Sequence, residues 1–439
     1  MTSLEIGLAS FPVLLFLIFA RIPIGLAMLL CGLAGTWIVT GTTLPILSKL
    51  KSETYTTFSD YSLSIVPLFL LMGQFASLGG MSRSLFKSAE KWLGHRRGGV
   101  AMSAVGACAG FGAICGSSLA TAATMAQVAL PELRRYGYSE ALATGTLAAG
   151  GTLGILIPPS VVLVIYAILA EQNIAKLFLA AVVPGVLAAI GYMIAISIYV
   201  RLHPNEAGTR EPAPYAERFR ALIDVWPVLM VFFAVVGGIY LGWFTPTEGA
   251  AVGAAGTGLI AWANGGLTRQ SMAEAILGTA SASAMIFFIV LGASFYNSFL
   301  ALSQLPQVTA AYIAGSGYSP WLVLTAILLL YLALGCVMDS LSMILLTIPI
   351  FYPIIIGLDF GLPKEELAIW FGILALIVVE VGLITPPVGM NLFVINSMAK
   401  SPISATYRGV IPFVISDIVR TAILTIFPAI SLFLIRWMY

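Results

Sequence analysis

The sequence predicts an all-α polytopic membrane protein, with about ten spanning helices and two re-entrant hairpins arranged as an inverted repeat. Of its 439 residues, 59% are apolar and only 9% are Asp, Glu, Lys or Arg, whereas soluble globular proteins carry roughly 25% charged residues. Apolar runs long enough to cross a bilayer recur along the chain, and two distant segments repeat one proline pattern. The composition excludes a disordered chain, a nucleic-acid binder and an ordinary soluble enzyme.

Ten apolar segments account for the predicted spanning helices. A helix needs about 20 residues to cross the hydrocarbon core. The segments that meet this requirement are Leu4–Ala20, Ile24–Thr40, Tyr61–Gly79, Ser139–Ala170, Ile174–Leu202, Leu222–Trp243, Gly249–Asn264, Ala273–Leu300, Leu367–Met398 and Gly409–Trp437. We interpret the first two as a retained pair of helices, because no basic stretch precedes them and no signal-peptide cleavage site follows the first run.

Two further apolar regions, Gly98–Tyr136 and Ser319–Ile355, have small and polar residues in the middle. The middles are Gly110–Ser118 and Gly335–Ser342. Because each flanking run is too short to span comfortably, we favour a hairpin that turns around inside the membrane. Two ordinary short helices are the alternative.

The placement of Lys and Arg supports this layout and orients it. With both regions counted as hairpins, fifteen Lys and Arg residues fall on one side and five on the other. The richer side is the cytoplasm by the positive-inside rule, which places both termini on the opposite face of the membrane. The basic, amphipathic segment Met81–Arg97 would lie along the inner interface, and the uncharged segment Leu305–Tyr318 would be its outer counterpart.

An internal repeat relates two parts of the chain. The only Pro-Pro dipeptides are Pro158-Pro159 and Pro386-Pro387, and each is preceded at the same spacing by a glycine, Gly154 or Gly382. One candidate hairpin opens to the cytoplasm and the other to the outside, so the repeat is inverted. The predicted organisation is scaffold helices in 1–60, a first repeat in 61–221 (hairpin 98–136, broken helix 139–170), central scaffold helices in 222–272 and a second repeat in 273–439 (hairpin 319–355, broken helix 367–398).

The Pro-Pro segments predict two broken helices. Adjacent prolines remove two amide donors and clash with the preceding turn. Irregular backbone at membrane depth is tolerated where it is buried in protein or lines a cavity. Its freed carbonyl oxygens can bind a small hard cation. Simple proline kinks are the alternative, but two copies in matched positions favour a functional role.

The hairpin tips carry the other polar groups. Cys115–Thr124 in the first tip offers several hydroxyls, which either pack helices or contact a ligand. In the second tip, Asp339 needs a partner at membrane depth, since a charge there costs roughly 2.5–3.5 kcal/mol. A sodium ion, an amide-capping role or protonation would each satisfy it. Glu380 raises the same question.

Other motifs favour structural roles or exclude functions. Asp417 and Arg420, at positions i and i+3, are expected to pair, and Thr245–Glu248 resembles a helix start. The four cysteines show no zinc or disulfide spacing. No Walker loop, H-E-x-x-H or Gly-x-Ser-x-Gly motif is present. ATP hydrolysis, an enzyme activity and an organic cofactor are therefore not expected.

Five motifs, in this order, resemble the large membrane (permease) subunit, DctM type, of tripartite ATP-independent periplasmic (TRAP) transporters. They are Cys115–Thr124, Gly154–Ser160, Phe244–Glu248, Met338–Ser342 and Gly382–Asn391. The resemblance covers nearly the whole chain. It implies an elevator-type fold of the ion transporter superfamily and sodium-driven uptake of an organic acid, of C4-dicarboxylate or sugar-acid type. It also implies two partners, a separate small four-helix membrane subunit (DctQ type) and a periplasmic substrate-binding protein (DctP type).

The resemblance also implies site residues. Two sodium sites would lie at the tips and breaks, and the residues expected to form them are Gly116, Ser118, Gly151, Gly154 and Pro158 in the first half, and Asp339, Ser340, Ser342, Thr385, Pro386 and Gly389 in the second. The residues expected to contact the anionic substrate are Ser117, Ser118, Thr121 and Asn391. Membrane lipid is also an expected partner, since it would surround the spanning helices.

The sequence leaves other functions open. A sodium/divalent-anion symporter that works without a binding protein would share this architecture. A passive channel or a scaffold subunit would belong to a different class, and an intramembrane hydrolase would need catalytic pairs that are missing at depth. The substrate is not named by the sequence, because neither tip nor Pro-Pro segment contains an arginine.

Overall fold

The structure, a computed structural model, describes residues 2–438, and every regular element in that range is helical. This confirms the all-α prediction. Seven of the ten predicted spanning segments contain a helix long and apolar enough to cross a bilayer, counting one bent pair as a single span. The other three form two 17-residue helices near the N-terminus and an 18-residue helix rich in Gly and Ala, Pro246–Ala263.

The first half of the chain contains the predicted hairpin and the first broken helix. Its helices are α1 (Ser3–Phe19), α2 (Ile24–Thr40), α3 (Leu44–Ser59), α4 (Ile65–Leu78), α5 (Met81–Leu93), α6 (Gly99–Cys115), α7 (Ser118–Arg135), α8 (Glu140–Leu156), α9 (Val161–Leu169) and α10 (Ile174–Leu202). Helices α6 and α7 form the hairpin, with Gly116 and Ser117 at its tip. Helices α8 and α9 form the broken helix and are bent by 45°.

The second half repeats this order. Its helices are α11 (Tyr215–Phe232), α12 (Gly238–Tyr240), α13 (Pro246–Ala263), α14 (Arg269–Leu302), α15 (Leu305–Gly315), α16 (Pro320–Gly335), α17 (Ser340–Ile356), α18 (Lys364–Leu383), α19 (Met390–Ala399), α20 (Ile403–Ile426) and α21 (Pro428–Met438). Helices α16 and α17 form the second hairpin, and α18 and α19 are the two parts of the second broken helix. A π-helical turn at Phe233–Gly237 joins α11 to α12.

Two details differ from the sequence prediction. The segment Gly409–Trp437 is two helices, not one, because Pro428 lacks an amide hydrogen and restricts the residue before it. Phe427 accordingly leaves helical geometry, with φ −119° and ψ 75°. Helix α3 was not predicted, since its mixed composition has no long apolar run. It is fastened to α14 by Lys49, which donates a hydrogen bond of 3.2 Å to the Ser294 carbonyl.

The first parts of the two broken helices occupy the centre of the molecule. Every residue of α18 from Leu367 to Leu383 is buried, and so is every residue of α8 from Leu142 to Leu156. Each of these helices contacts both arms of its own hairpin. The second arm of each hairpin also contacts the second part of the other broken helix, α7 with α19 and α17 with α9. The two halves therefore interlock around one core.

The loop between α10 and α11 is fastened at two points. Glu206 accepts hydrogen bonds from Ser139 (2.8 Å) and Tyr199 (2.6 Å), which holds the loop to the start of α8. Four residues later, Arg210 lies 3.0 Å from Glu90 of α5. The Tyr199 hydrogen bond lowers the pKa of the Glu206 carboxyl below its usual value. The loop thus links the core to the amphipathic helix α5.

Candidate functional site

The two hairpins contact the two broken helices through matched glycine pairs. In the first half, a Cβ at Gly112 of α6 would lie 2.5 Å from the Cα of Gly154 in α8. In the second half, a Cβ at Gly335 of α16 would lie 3.0 Å from the Cα of Gly382 in α18. Small residues allow such close backbone approach between membrane helices. The glycine that precedes each Pro-Pro pair therefore has a packing role.

A cavity of about 190 Å³ lies between the two hairpin tips. We call it the tip cavity. Its polar residues belong to the two tips, and its apolar residues include four from α4 and α14, the helices opposite. Its lining includes Ser117, Ser118, Asp339, Ser340, Leu70 and Met285. The structure therefore brings the tips of both hairpins together at one cavity.

Glu380 joins the two hairpins at this cavity. It lies on α18 and is only 1% exposed. The Ser340 hydroxyl donates a hydrogen bond of 2.6 Å to its Oε1, and the Ser118 hydroxyl donates to its Oε2. Both serines line the tip cavity. One buried carboxylate thus holds the tips of two hairpins that are far apart in sequence.

Asp339 caps the second arm of hairpin two. Its Oδ2 accepts a hydrogen bond of 3.1 Å from the Ser342 amide, and its Oδ1 accepts one of 2.5 Å from the Ser342 hydroxyl. Of the three roles that the sequence left open for Asp339, the structure contains the amide cap. Ser117 has the equivalent position in hairpin one, where its hydroxyl accepts from the Ala120 amide at 3.4 Å. Each tip therefore begins its second helix with a side-chain cap.

The first break lies directly against the first tip. Both Pro-Pro bonds of the chain are cis. A Cβ at Gly116, in the tip, would lie 3.2 Å from the Pro159 carbonyl oxygen. Gly154 faces the Ser117 carbonyl, and Gly151 faces that of Ser118. The predicted residues Gly116, Ser118, Gly151, Gly154 and Pro158 therefore fall in one region, rich in backbone carbonyl oxygens.

The second break makes the equivalent contacts with hairpin two. The Gly389 amide donates a hydrogen bond of 3.0 Å to the Cys336 carbonyl, just before the second tip. The Thr385 hydroxyl donates to the Val381 carbonyl at 2.6 Å, within its own helix turn. Pro386 and Pro387 lie between these two contacts. The fold therefore holds Gly389 of the second break against hairpin two, just before its tip.

Thr121 and Asn391 lie outside the tip cavity. Thr121 is buried against Gly154. Asn391 is fully buried at the start of α19 and donates a hydrogen bond of 3.3 Å to the Ala148 carbonyl in α8. Its Oδ1 has no hydrogen-bond partner among the described residues. Of the four predicted substrate contacts, the structure places Ser117 and Ser118 on the cavity wall and the other two behind it.

A buried polar network lies on the other side of α8. Thr152 Oγ1 lies 2.9 Å from the Tyr192 hydroxyl, which donates to Asp417 at 2.7 Å. Asp417 and Arg420 form the predicted ion pair, with 2.8 Å between Oδ1 and Nη2. The guanidinium is not aligned for a hydrogen bond across this pair. This network connects the last long helix to the turn that contains Gly151 and Gly154.

Two features of the site are not predicted from the sequence. The first is the role of Glu380 as the partner of both hairpin tips. The sequence signal for it is an acidic residue shortly before a Pro-Pro break, which does not identify the partners of that residue. The apolar wall, including Leu70 of α4 and Met285 of α14, carried no signal, because these residues resemble any other spanning-helix residue. Their role depends on which helix the fold places opposite the tips.

Comparisons with known proteins agree with this architecture. The family described as "Tripartite ATP-independent periplasmic transporter, DctM component" matches residues 11–430. The chain is 37% identical to the C4-dicarboxylate TRAP transporter large permease protein DctM of Pseudomonas aeruginosa, over 89% of this chain and 90% of that protein. It is 30% identical to the sialic acid TRAP transporter large permease protein SiaM of Vibrio cholerae, over 95% and 96% of the two chains.

A solved structure has the same fold. The Alcanivorax borkumensis YdaH transporter superposes with a TM-score of 0.65 over 87% of this chain and 88% of that chain, at 14% sequence identity. The helical order, the paired hairpins and the family match along nearly the whole chain lead to one conclusion. The chain belongs to the DctM family, the large permease subunits of TRAP transporters.

Proposed function

We propose that this permease subunit carries out sodium-driven uptake of a small organic acid across the bacterial inner membrane. The observation that carries the proposal is the tip cavity, where Glu380 holds both hairpin tips. A C4-dicarboxylate is the first candidate substrate, because the chain is 37% identical to a Pseudomonas aeruginosa protein named as a C4-dicarboxylate TRAP transporter large permease.

Sodium coupling is supported by the chemistry of the two tip–break regions. Carbonyl and hydroxyl oxygens are the ligands that hard cations prefer. Ser118 and Ser340 use their hydrogens on Glu380, so their oxygen lone pairs stay free for a cation. No Lys or Arg lines the tip cavity. Sodium ions would therefore supply the positive charge that a bound carboxylate and Glu380 both need.

The membrane potential makes this coupling strong. One charge that crosses 100 mV releases roughly 2.3 kcal/mol. A dianion carried with more than two sodium ions moves net positive charge inward, so the potential adds to the sodium gradient. Two sites, one at each tip–break pair, would provide part of that stoichiometry.

The arrangement of helices supports an elevator movement. The hairpins and broken helices interlock across the two halves, so they would move as one body. The cavity wall formed by α4 and α14 is apolar and offers the tips few polar contacts. The tips would slide past this wall and expose the cavity to each side in turn. A small membrane subunit and a periplasmic binding protein would complete the system, with both termini of this chain on the periplasmic side.

The test is uptake into proteoliposomes that contain this subunit and its small membrane partner. Radiolabelled succinate is supplied with and without an inward sodium gradient, and with and without the cognate binding protein. Uptake that requires both supports the proposal, and Ser118→Ala should then slow it. Sodium-driven uptake without the binding protein would indicate a stand-alone symporter. Uptake that follows a proton gradient instead of sodium would refute sodium coupling.

A further inference from the structure

A second, larger cavity lies at the end of α7 that the charge rule assigns to the cytoplasm. We call it the inner cavity. It has a volume of about 950 Å³ and is bounded by α5, α7, α11 and the loop between α10 and α11. Helix α7 begins at the tip cavity with Ser118 and reaches the inner cavity at Gln127 and Pro131. Thirteen helical residues separate Ser118 from Pro131, a distance of about 20 Å.

The inner cavity has an excess of positive charge. Five of its residues are Lys or Arg and three are Asp or Glu. Arg210 pairs with Glu90 at 3.0 Å, and Arg135 lies 3.5 Å from Glu132. These pairs neutralise two of the acids and leave Asp224 as the third. Lys91 lies 3.5 Å from Glu217, which is outside the cavity lining.

Arg83 and Lys87 provide the positive charge that is not neutralised. They are one helical turn apart on α5, so they project from the same face. Both are exposed, and neither forms an ion pair with any residue between 2 and 438. Together they outweigh the negative charge of Asp224, and a cleft with an excess of one charge concentrates ions of the opposite sign. The two side chains are available for a small anion.

We propose that the inner cavity is a release site, where Arg83 and Lys87 bind the carboxylates of the substrate after it leaves the tip cavity. The assignment rests on the proposed function, since it requires an anionic substrate that travels toward the cytoplasm. The tip cavity has no cationic side chain, whereas the inner cavity has five. Against its three acids, the five cations leave the inner cavity with an excess of positive charge, which would attract the anion once its sodium ions dissociate.

The charge of the cavity is measured with a pair of thiol reagents of opposite charge. The four native cysteines are buried, so a single introduced cysteine reports its own surroundings. Gln127→Cys places a thiol on the cavity wall, with Ser84→Cys as a second position if the first variant folds poorly. Asn205→Cys, exposed outside the cavity, is the reference. The complex with the small membrane subunit is held in phosphatidylcholine nanodiscs.

The readout is the modification rate with anionic 2-sulfonatoethyl methanethiosulfonate, divided by the rate with its cationic trimethylammonium analogue. We expect this ratio to be about tenfold higher at Gln127→Cys than at Asn205→Cys, since charged clefts raise counter-ion concentration by this order. Arg83→Gln with Lys87→Gln should remove most of the difference. The control variant Arg201→Gln with Arg408→Gln also removes two positive charges, but outside the inner cavity. It should leave the difference in reagent ratio unchanged.

Binding is measured with succinate as the probe anion. Succinate should slow modification at Gln127→Cys and leave Asn205→Cys unaffected, and the Arg83/Lys87 double variant should lose this protection. The same double variant should lower the maximal uptake rate about threefold, with little change in the half-saturating sodium concentration. Equal reagent ratios at the two cysteines, or no protection by succinate, would overturn the release site. Failure of sodium-driven uptake in the unmodified complex would instead refute the proposed function, while the reagent ratios would still report the cavity.

Discussion

The two broken helices have the same backbone design but different chemistry at one position. Each has a glycine that contacts its hairpin, followed by a Pro-Pro break. Two residues before that glycine, α8 has Thr152 and α18 has Glu380. Thr152 turns away from the tips toward Tyr192, whereas Glu380 bonds to a serine of each tip. The two halves therefore share a backbone frame, which is the contact glycine followed by the Pro-Pro break. They differ in that only the second half has an acidic residue, Glu380, bonded to both tips.

The largest effect is expected from removing the charge of Glu380. Glu380→Gln should lower sodium-driven uptake about 100-fold, since hydrogen bonds to a buried charged group contribute roughly 1.5–3 kcal/mol. Thr152→Val is the matched change in the other half and should reduce uptake only about threefold. Proteoliposome uptake measures both. Equal reductions of the uptake rate in the two variants would show that the difference between Thr152 and Glu380 does not affect transport.

Substitution of the contact glycines tests the shared frame. Gly112→Ala should destabilise the fold by about 3 kcal/mol and Gly335→Ala by about 1 kcal/mol, because overpacking costs roughly 1–3 kcal/mol. The order follows from the approach distances of 2.5 and 3.0 Å. Thermal unfolding in detergent measures the difference. Gly106→Ala is the control, since its nearest neighbour is the flexible end of Met193 at 3.6 Å. A reversed order would contradict the packing argument.

The two serines should behave as equivalent partners of Glu380. Ser118→Ala and Ser340→Ala should each slow uptake about tenfold, since one hydrogen bond to a charged group is lost, a change of roughly 1.4 kcal/mol. The double variant should lose less than the product of the two effects, because both residues act through one carboxylate. Strictly additive losses would show that the tips act independently.

Tyr192→Phe tests the network behind the first broken helix. Loss of its hydroxyl removes the contacts to Thr152 and Asp417. The expected destabilisation is about 1–2 kcal/mol, with an unchanged half-saturating sodium concentration. A marked shift in sodium affinity would show that this network tunes the ion site and is not only structural.

The smallest effect concerns pH at the loop that fastens the start of α8. The Tyr199 hydrogen bond lowers the pKa of Glu206 below its unfolded value. Its stabilising contribution is therefore present above the unfolded pKa and is lost as pH falls through the folded value. Thermal unfolding below pH 4.5 should differ less between the wild type and Glu206→Gln than at pH 7. A constant difference across this range would contradict that assignment.

The two broken helices and their preceding glycines could be predicted from the sequence, because they depend on the local conformational preferences of proline and glycine. Paired prolines break a helix wherever they occur, and Gly154 and Gly382 mark the same offset in both halves. The site was harder to predict, because polar side chains such as Thr121 and Asp339 can cap a helix, pack against a neighbour or bind a ligand. The pairing of Glu380 with two serines, separated from it by 262 and 40 residues, depends on tertiary contacts. Periodicity contains no information about such contacts.

The loop between α10 and α11 acts as a tether of defined length. It is attached to the core at Glu206 and to helix α5 at Arg210. Four residue steps can extend over no more than about 14 Å. While both attachments hold, this backbone span plus the lengths of the Glu206 and Arg210 side chains limits how far the core and α5 can separate. In the proposed elevator movement, a displacement beyond this limit would first have to break the Glu90–Arg210 ion pair or the hydrogen bonds of Glu206.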